Sequence, residues 1–308
     1  MAKLRTFIQN GNWYKGNLHL HTTISDGHLD PVDSVAVYRD NGYDFLAVTD
    51  HSWYGIHNDL QTDNFLIFGG TELGELLECD KGFCHHIVVI GHPDETKFTH
   101  GQNVQELCKG MTTQQMIDFV KANGNVAIYC HPRWSHVSMK EYLTINGCIG
   151  MEVYNHVSEI ACSDGDAISY FEHSLWTGNK IFAFATDDAH ARSGYMGGWI
   201  NVKAKSLTHK DIMDAIKVGS FYASSGGPEI YDFYVDGGIA YIKCAPSARV
   251  GFFGDATPGN SFNAEGALIT EQSWEFSKVW SPGGRMNCVY AVCFDEYGRK
   301  SWTQPVWL

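Results

Sequence analysis

The chain has 308 residues, 44% of them hydrophobic and 19% charged, an ordinary globular balance with length for one large domain and a small one. Its formal charge of −13 argues against general affinity for nucleic-acid backbone or anionic membrane, both of which need basic patches. Nine cysteines without a Cys-x-x-Cys pair fit free thiols in a reducing compartment better than a disulfide framework or a zinc knot. The amino-terminal stretch has no apolar core of the signal-peptide kind, and the apolar runs are too short to span a bilayer. A cytoplasmic protein with no membrane partner is expected.

The first two-thirds alternates short apolar runs with helix-like stretches, the texture of an α/β architecture. Strands are predicted over 17–21, 44–49, 65–71, 85–91, 125–130, 149–153 and 181–186. In the first, Leu18 and Leu20 alternate with His19 and His21, so a strand turns the leucines to one face and the imidazoles to the other. Asp30 suits a helix N-cap, Pro31 the first helical position and Gly42 the stop. Thr112 and Gln115 have capping-box spacing, with Gly124 closing that helix, and a third helix ends at Gly178. The stretch 72–84 is interrupted by glycine and charge. A further capped helix runs into a Ser/Gly/Pro break, and from about residue 229 strands and turns alternate, with Asp236-Gly237-Gly238 as a hairpin signal. The expected division is an α/β unit over 1–228 and a small all-β, sandwich-like unit over 229–308. No motif assigns the second unit a role; packing over the first, homo-oligomerisation and contact with the distal part of a substrate are the alternatives. Its aromatics, Phe252, Phe253, Trp274, Trp280, Trp302 and Trp307, read as core.

Polar residues gather at the predicted strand ends. Strand one supplies His19 and His21, with Asp26 in the following loop, and strand two supplies Asp50 and His51. Glu72 ends strand three. Strand four opens on His85 and His86 and closes on His92, strand five ends in His131 and Arg133, and strand seven in Asp187, Asp188 and His190. In α/β proteins, sites form where strand carboxyl ends converge. Imidazoles and carboxylates are costly to bury together unless cations join them, and this donor mixture suits Zn, Mn or Fe. Asp50 and Asp187 are expected to orient neighbouring imidazoles, and Asn155 and His156 are candidate pocket residues. Arg133 is placed either as a phosphate clamp or as a surface salt bridge. Arg192 is a further candidate for meeting an anionic substrate. Trp53, Tyr54 and Trp134 are assigned to rim loops, and His28, His57, His100, His136, His173 and His209 to loops or the surface.

The segments "HLHTTISDG", "AVTDH", "GTELG", "HIVVIG", "CHPRW" and "TDDAH", in that order across roughly residues 15–225, closely resemble the motifs of the PHP (polymerase and histidinol phosphatase) superfamily. The resemblance implies a distorted (β/α)7 barrel and a site for two to three divalent ions. Matched by motif, a first metal falls to His19, His21, Glu72 and Asp188. Glu72 bridges to a second, completed by His86 and His131, and a third falls to Asp26, His51 and His190. His86 aligns best in its motif, with His85 and His92 as alternatives, and Asp26 stands where some members have histidine.

The function expected is metal-dependent hydrolysis of a phosphomonoester or phosphodiester by a metal-bridging hydroxide, with Glu72, Asp188 and Arg133 in the chemistry. The substrate expected is a small phosphorylated molecule. The acidity disfavours a long nucleic acid, while a nucleotide or short oligonucleotide stays open. Hydrolysis of a non-phosphate ester or carbamate at the same site, and a non-catalytic metal-binding module, are the rival readings.

Overall fold

The structure, a computed structural model, describes residues 3–74, 83–279 and 284–308. Its first half runs β1 (Leu4–Arg5), β2 (Asn12–Asn17), α1 (Pro31–Arg39), β3 (Phe45–Ala47), β4 (Trp53–Tyr54), β5 (Leu66–Leu73), β6 (Ile87–Gly91), β7 (Gln102–Asn103), α2 (Val104–Leu107), α3 (Thr113–Ala122) and β8 (Asn125–Tyr129). There follow α4 (Met139–Tyr142), β9 (Gly150–Asn155), α5 (His156–Cys162), α6 (Ile168–Trp176), β10 (Phe182–Thr186), β11 (Trp199–Ala204), α7 (His209–Lys217) and β12 (Phe221–Ser224). Local chemistry explains the helix starts. Asp30 accepts from the Asp33 amide with Pro31 at the first turn, and Thr112 and Gln115 form the reciprocal capping box.

Six of the seven predicted strands are present, as β3, β5, β6, β8, β9 and β10; the first is displaced, since β2 shares only Asn17 with the predicted 17–21, and the seven lie side by side in chain order. Four of their six pairings are parallel, and β6 runs antiparallel to both β5 and β8. The predicted barrel is not closed: among the described residues no ladder joins β10 to β2. The edge of β2 that closure needs is taken by β11, which pairs antiparallel with it from Gly16 to Asn12. The first strand therefore ends at Asn17, earlier than predicted, and residues 18–21 run on beyond the reach of β11. There a single bridge, Leu20 to Ala189, spans the gap. It is flanked by hydrogen bonds from His21 N to Ala189 O (3.0 Å) and from Asp188 N to His19 O (2.9 Å).

Residues beyond 229 are β-rich: β13 (Ile230–Asp236), β14 (Ile239–Ser247), β15 (Arg249–Gly254), β16 (Thr257–Asn263), β17 (Ile269–Trp274), β18 (Cys288–Phe294), β19 (Lys300–Thr303) and β20 (Val306–Trp307). Gly237 and Gly238, both at positive φ (58° and 84°), make the two-residue turn between β13 and β14. The large sheet continues through β12 into β19, β18, β15 and β16, so this part shares a sheet with the α/β part. A four-stranded sheet, β1-β13-β14-β17, recruits the chain's own amino-terminal strand. Phe233, Ile242, Phe252, Trp274, Val289 and Ala291 fill the core between the two sheets. Of the other aromatics expected in a core, Trp302 is buried in the main core, Phe253 and Trp307 pack partly buried against it, and Trp280 lies outside the described residues. No helix among the described residues is long and apolar enough to cross a membrane.

Candidate metal centre

The alternation of Leu18-His19-Leu20-His21 does what strand geometry demands. Both leucines are buried among apolar side chains, and both imidazoles turn the other way, their Nε2 atoms 3.1 Å apart. Around them converge groups from six other places in the chain. Glu72, near the end of β5, sets Oε2 3.2 Å from His19 Nε2, 3.1 Å from His21 Nε2 and 3.2 Å from His51 Nδ1. Its Oε1 lies 2.6 Å from His86 Nδ1 and 3.1 Å from His131 Nε2. Asp188 Oδ1 stands 3.2 Å from His19 and 3.0 Å from His21. Asp26, on the loop after His21, puts Oδ2 3.4 Å from His190 Nε2 and 3.7 Å from His51 Nε2.

Three sets of donor atoms, each within 4.8 Å of one another, result: His19, His21, Glu72 and Asp188; Glu72, His86 and His131; and His21, Asp26, His51 and His190. A fourth, His19, Cys130, His131 and Glu152, overlaps the first two, and in it Glu152 is hydrogen-bonded to His19 and to the His131 amide. Burial grades the sets: the first two are closed off, whereas Asp26 and His190 reach solvent.

The antiparallel strand β6 decides which strand-four histidine takes part. Reversal brings the start of β6 to the rim formed by the carboxyl ends of its neighbours, so His86 faces Glu72. His85, one residue earlier, points the other way to the Tyr129 hydroxyl at 2.6 Å. His92, at the far end, contacts the His209 ring instead.

Consecutive aspartates part company at the end of β10. Asp188 adopts φ 56°, which aspartate tolerates better than most residues, and enters the cluster. Asp187 turns back to accept from Tyr38 Oη and from the amides of Met196, Gly197 and Gly198. Asp50 likewise accepts from Thr22 and Ser25. Both acids thus brace rim loops through these hydroxyls and amides instead of orienting imidazoles as expected. His131 (φ 21°) and Ser52 (φ 68°), next to His51, are further non-glycine residues in the left-handed region. Backbone strain concentrates at functional sites.

The group that holds His19 is Glu152, in the middle of β9. Its Oε1 meets His19 Nδ1 at 2.7 Å and Thr186 Oγ1 at 2.6 Å, and its Oε2 accepts from His131 N and Asn155 Nδ2. Sequence reading missed it. The available signal was a charged residue inside the apolar run "GMEVYN", which must find partners if buried. Asn155 also reaches Asp188 Oδ2 at 3.1 Å while capping α5, so it does line the site. His156 sits against Tyr154 Oη. Glu152→Gln is expected to keep the fold and weaken metal affinity about 10–100-fold, the usual cost of losing an orienting partner. Calorimetric titration of metal into the variant checks this, and unchanged affinity would remove Glu152 from the site.

Arg133 does not join the cluster. The turn after His131 swings its guanidinium outward to Asp164 Oδ1 (2.7 Å) and the Asp166 carbonyl (2.9 Å), so the salt-bridge alternative holds in place of a catalytic contact. Arg133→Ala should shift stability by no more than about 1 kcal/mol and leave turnover unchanged. A tenfold fall in kcat would return it to the chemistry. Arg192 is exposed on a short turn, Tyr54 is core instead of rim, and His57 is buried against His100 instead of on the surface. His209 is half-buried, its Nε2 donating to Ile67 O.

The charges explain what this arrangement demands. Burial by itself lowers the His21 pKa, but the Asp188 and Glu72 carboxylates beside it outweigh that and raise it to about 9. His19 and His86 are raised in the same way against their own burial, by Asp188 and Glu72 and by Glu72 respectively. Burial pushes the Glu72 and Asp188 carboxyls up, and the surrounding imidazoles, His19 first, hold both well below the carboxylate range. Positive charge is required, and no lysine or arginine supplies it among the described contacts. With Nδ1 of His19 engaged by Glu152, its Nε2 faces His21, Glu72 and Asp188 together. Among the described residues, no partner meets the buried Asp188 Oδ1 in hydrogen-bond geometry. Nitrogen and oxygen donors aimed at a common point fit divalent cations.

Comparison with protein-family models and with curated proteins gives no match. Among solved structures, a two-domain protein of Bacteroides vulgatus ATCC 8482, containing a predicted PHP-like metal-dependent phosphoesterase, matches at a TM-score of 0.51 and 14% identity, over 96% of each chain. The chain shares its overall fold with that protein. An amidohydrolase of Chromobacterium violaceum is also similar, at a TM-score of 0.42 and 16% identity, over 60% of this chain and 90% of that one. So is a lesion-specific endonuclease of Pyrococcus furiosus, at 0.44 and 13%, over 68% and 57%. On this fold, the donor sets lie where the strand ends converge.

Proposed function

We propose that the protein is a metal-dependent phosphoesterase that hydrolyses small phosphorylated molecules at a site for two to three Zn, Mn or Fe ions. The seven-strand half is then an open, distorted relative of the expected barrel, and Asp26, His51 and His190 complete the most open of the three positions. One observation carries the reading: Glu72 lies against five imidazoles, and its two oxygens join neighbouring donor sets. Bound cations supply Lewis acidity, acidifying water to a nucleophile near neutral pH and offsetting charge on the phosphoryl and leaving oxygens. The chain's own residues do the rest. Glu152 and Asn155 hold His19 and Asp188 in place, Asp187 and Asp50 brace the rim loops, and the exposed side of His190 and Asp26 leaves room for an anion to approach. A cytoplasmic setting is proposed on the cysteine pattern of the sequence.

The test is elemental analysis of the purified protein, then assay with p-nitrophenyl phosphate, bis(p-nitrophenyl) phosphate and p-nitrophenyl acetate in added Mn²⁺, Zn²⁺ or Fe²⁺. Metal-dependent cleavage of a phosphate ester is expected. Cleavage of the acetate alone would transfer the assignment to carbonyl esters, and tight metal binding with no hydrolysis would leave a binding module.

The pH dependence has a definite sign. Because nearby carboxylates hold His21 at about 9, protons and cations compete for the same nitrogens at neutral pH. Apparent metal affinity should rise roughly tenfold per pH unit between 6 and 8 for each proton displaced, measured by competition with a chelator. In the metal-free protein the raised imidazole contributes stability below its ordinary value of 6.5 and loses it as pH climbs through about 9. Melting of the metal-free protein should therefore fall across that window, while the loaded protein resists. A flat affinity profile from pH 6 to 8 would refute the competition.

A further inference from the structure

Arg133 and Trp134 are neighbours on the same turn, and the fold sends them to different places. The guanidinium goes outward to Asp164, and the indole comes back to the metal centre. Its ring stands 5.2 Å from the His131 ring and 5.9 Å from the His86 ring, edge-to-face with each at 82° and 75°. These are two of the three residues in the second donor set. Yet 45% of Trp134 remains exposed. A lone exposed apolar side chain is unremarkable on a protein surface. A half-exposed indole braced against two imidazoles of a reaction centre is different: it is a rigid aromatic wall beside the place where a phosphoryl group would sit, with its remaining surface open to whatever that group carries.

We infer that Trp134 determines specificity, favouring phosphoesters that carry a planar aromatic ring close to the phosphoryl centre. The inference rests on the phosphoesterase reading above and adds the class of substrate. An aromatic ring attached next to the ester oxygen comes within reach of the indole and exchanges hydrated surface for ring–ring contact. An aliphatic group of the same bulk gains burial but not the quadrupole match, and such aromatic pairs give an advantage beyond area alone. The extra free energy acts on binding, because the stacking group does not change as the ester bond breaks. The preference therefore resides in KM.

Benzyl phosphate and cyclohexylmethyl phosphate form a matched pair, close in size and in leaving-group chemistry. With the metal-loaded protein, kcat/KM for the benzyl ester should exceed that for the cyclohexylmethyl ester by about tenfold, mostly through KM. Trp134→Ala should bring the ratio close to one, and Trp134→Phe should restore part of it. The same ordering should hold for equilibrium binding of benzylphosphonate and cyclohexylmethylphosphonate, which cannot be hydrolysed. That binding arm separates the two claims: no hydrolysis of any phosphate ester refutes the phosphoesterase reading, while equal binding of the two phosphonates refutes the role of Trp134. Metal content is read on each variant. If both Trp134 variants lose metal, the indole props the ligand histidines and the specificity role is overturned. An equal ratio in wild type and Trp134→Ala overturns it as well.

Discussion

Glu72→Ala should lose metal and hydrolysis together. The carboxylate is 1% exposed and has imidazoles of His19, His21, His51, His86 and His131 within 3.2 Å. Removing it deletes the group that joins the first two donor sets and leaves five rings gathered without the carboxylate that all of them approach. Charge left uncompensated in a buried site is among the costliest changes a protein can undergo. The loss of activity should exceed the roughly 10–100-fold expected for an orienting residue such as Glu152. Glu72→Gln keeps the volume and removes the charge, so it should fail in the same way and show that the cause is electrostatic. Elemental analysis and a phosphatase assay on both variants read the outcome. Full metal content with retained turnover in either one would displace Glu72 from the centre.

The second large effect concerns how the two parts of the chain hold together. Trp302, on β19, is 1% exposed and belongs to the main core although it lies six residues from the carboxyl end. It pairs with Ala223 of β12 on one side and Val292 of β18 on the other, and its ring stacks near Tyr154 of β9 at 6.4 Å. Trp302→Ala should cost about 3–5 kcal/mol from lost burial and the cavity left behind. In a chain of this size that lowers Tm by on the order of 10 °C. Because the large sheet runs unbroken from β2 through β12 to β15, a single cooperative transition should move as a whole. Calorimetry showing two transitions, with only one displaced, would mean that the carboxyl-terminal strands fold on their own account.

Much of the candidate site was legible from residue types and order. Nine residues named from motifs, His19, His21, Asp26, His51, Glu72, His86, His131, Asp188 and His190, are brought within reach of one another. What escaped is instructive. Glu152 sits within a strand and not at its end, so a search of strand termini passes over it. The roles of Asp50 and Asp187 were misread because a carboxylate beside a histidine in sequence need not face it in space. The expected barrel was implied by the family resemblance and agreed with the strand count, and neither says which edge of β2 would be occupied.

Strands, helix starts, the Gly237-Gly238 turn and the pairing of Leu with His on opposite faces were settled by the sequence itself, since each depends on neighbours within a few residues: side-chain alternation, capping hydrogen bonds and the freedom of glycine at positive φ. The reversal of β6, which selects His86 over His92, and the separation of Arg133 from Trp134 belong to the tertiary structure. So do the capture of the β2 edge by β11 and the seating of Trp302 under Tyr154. These are contacts between residues far apart in the chain, and their strength depends on which surfaces packing brings together, a quantity no local pattern contains.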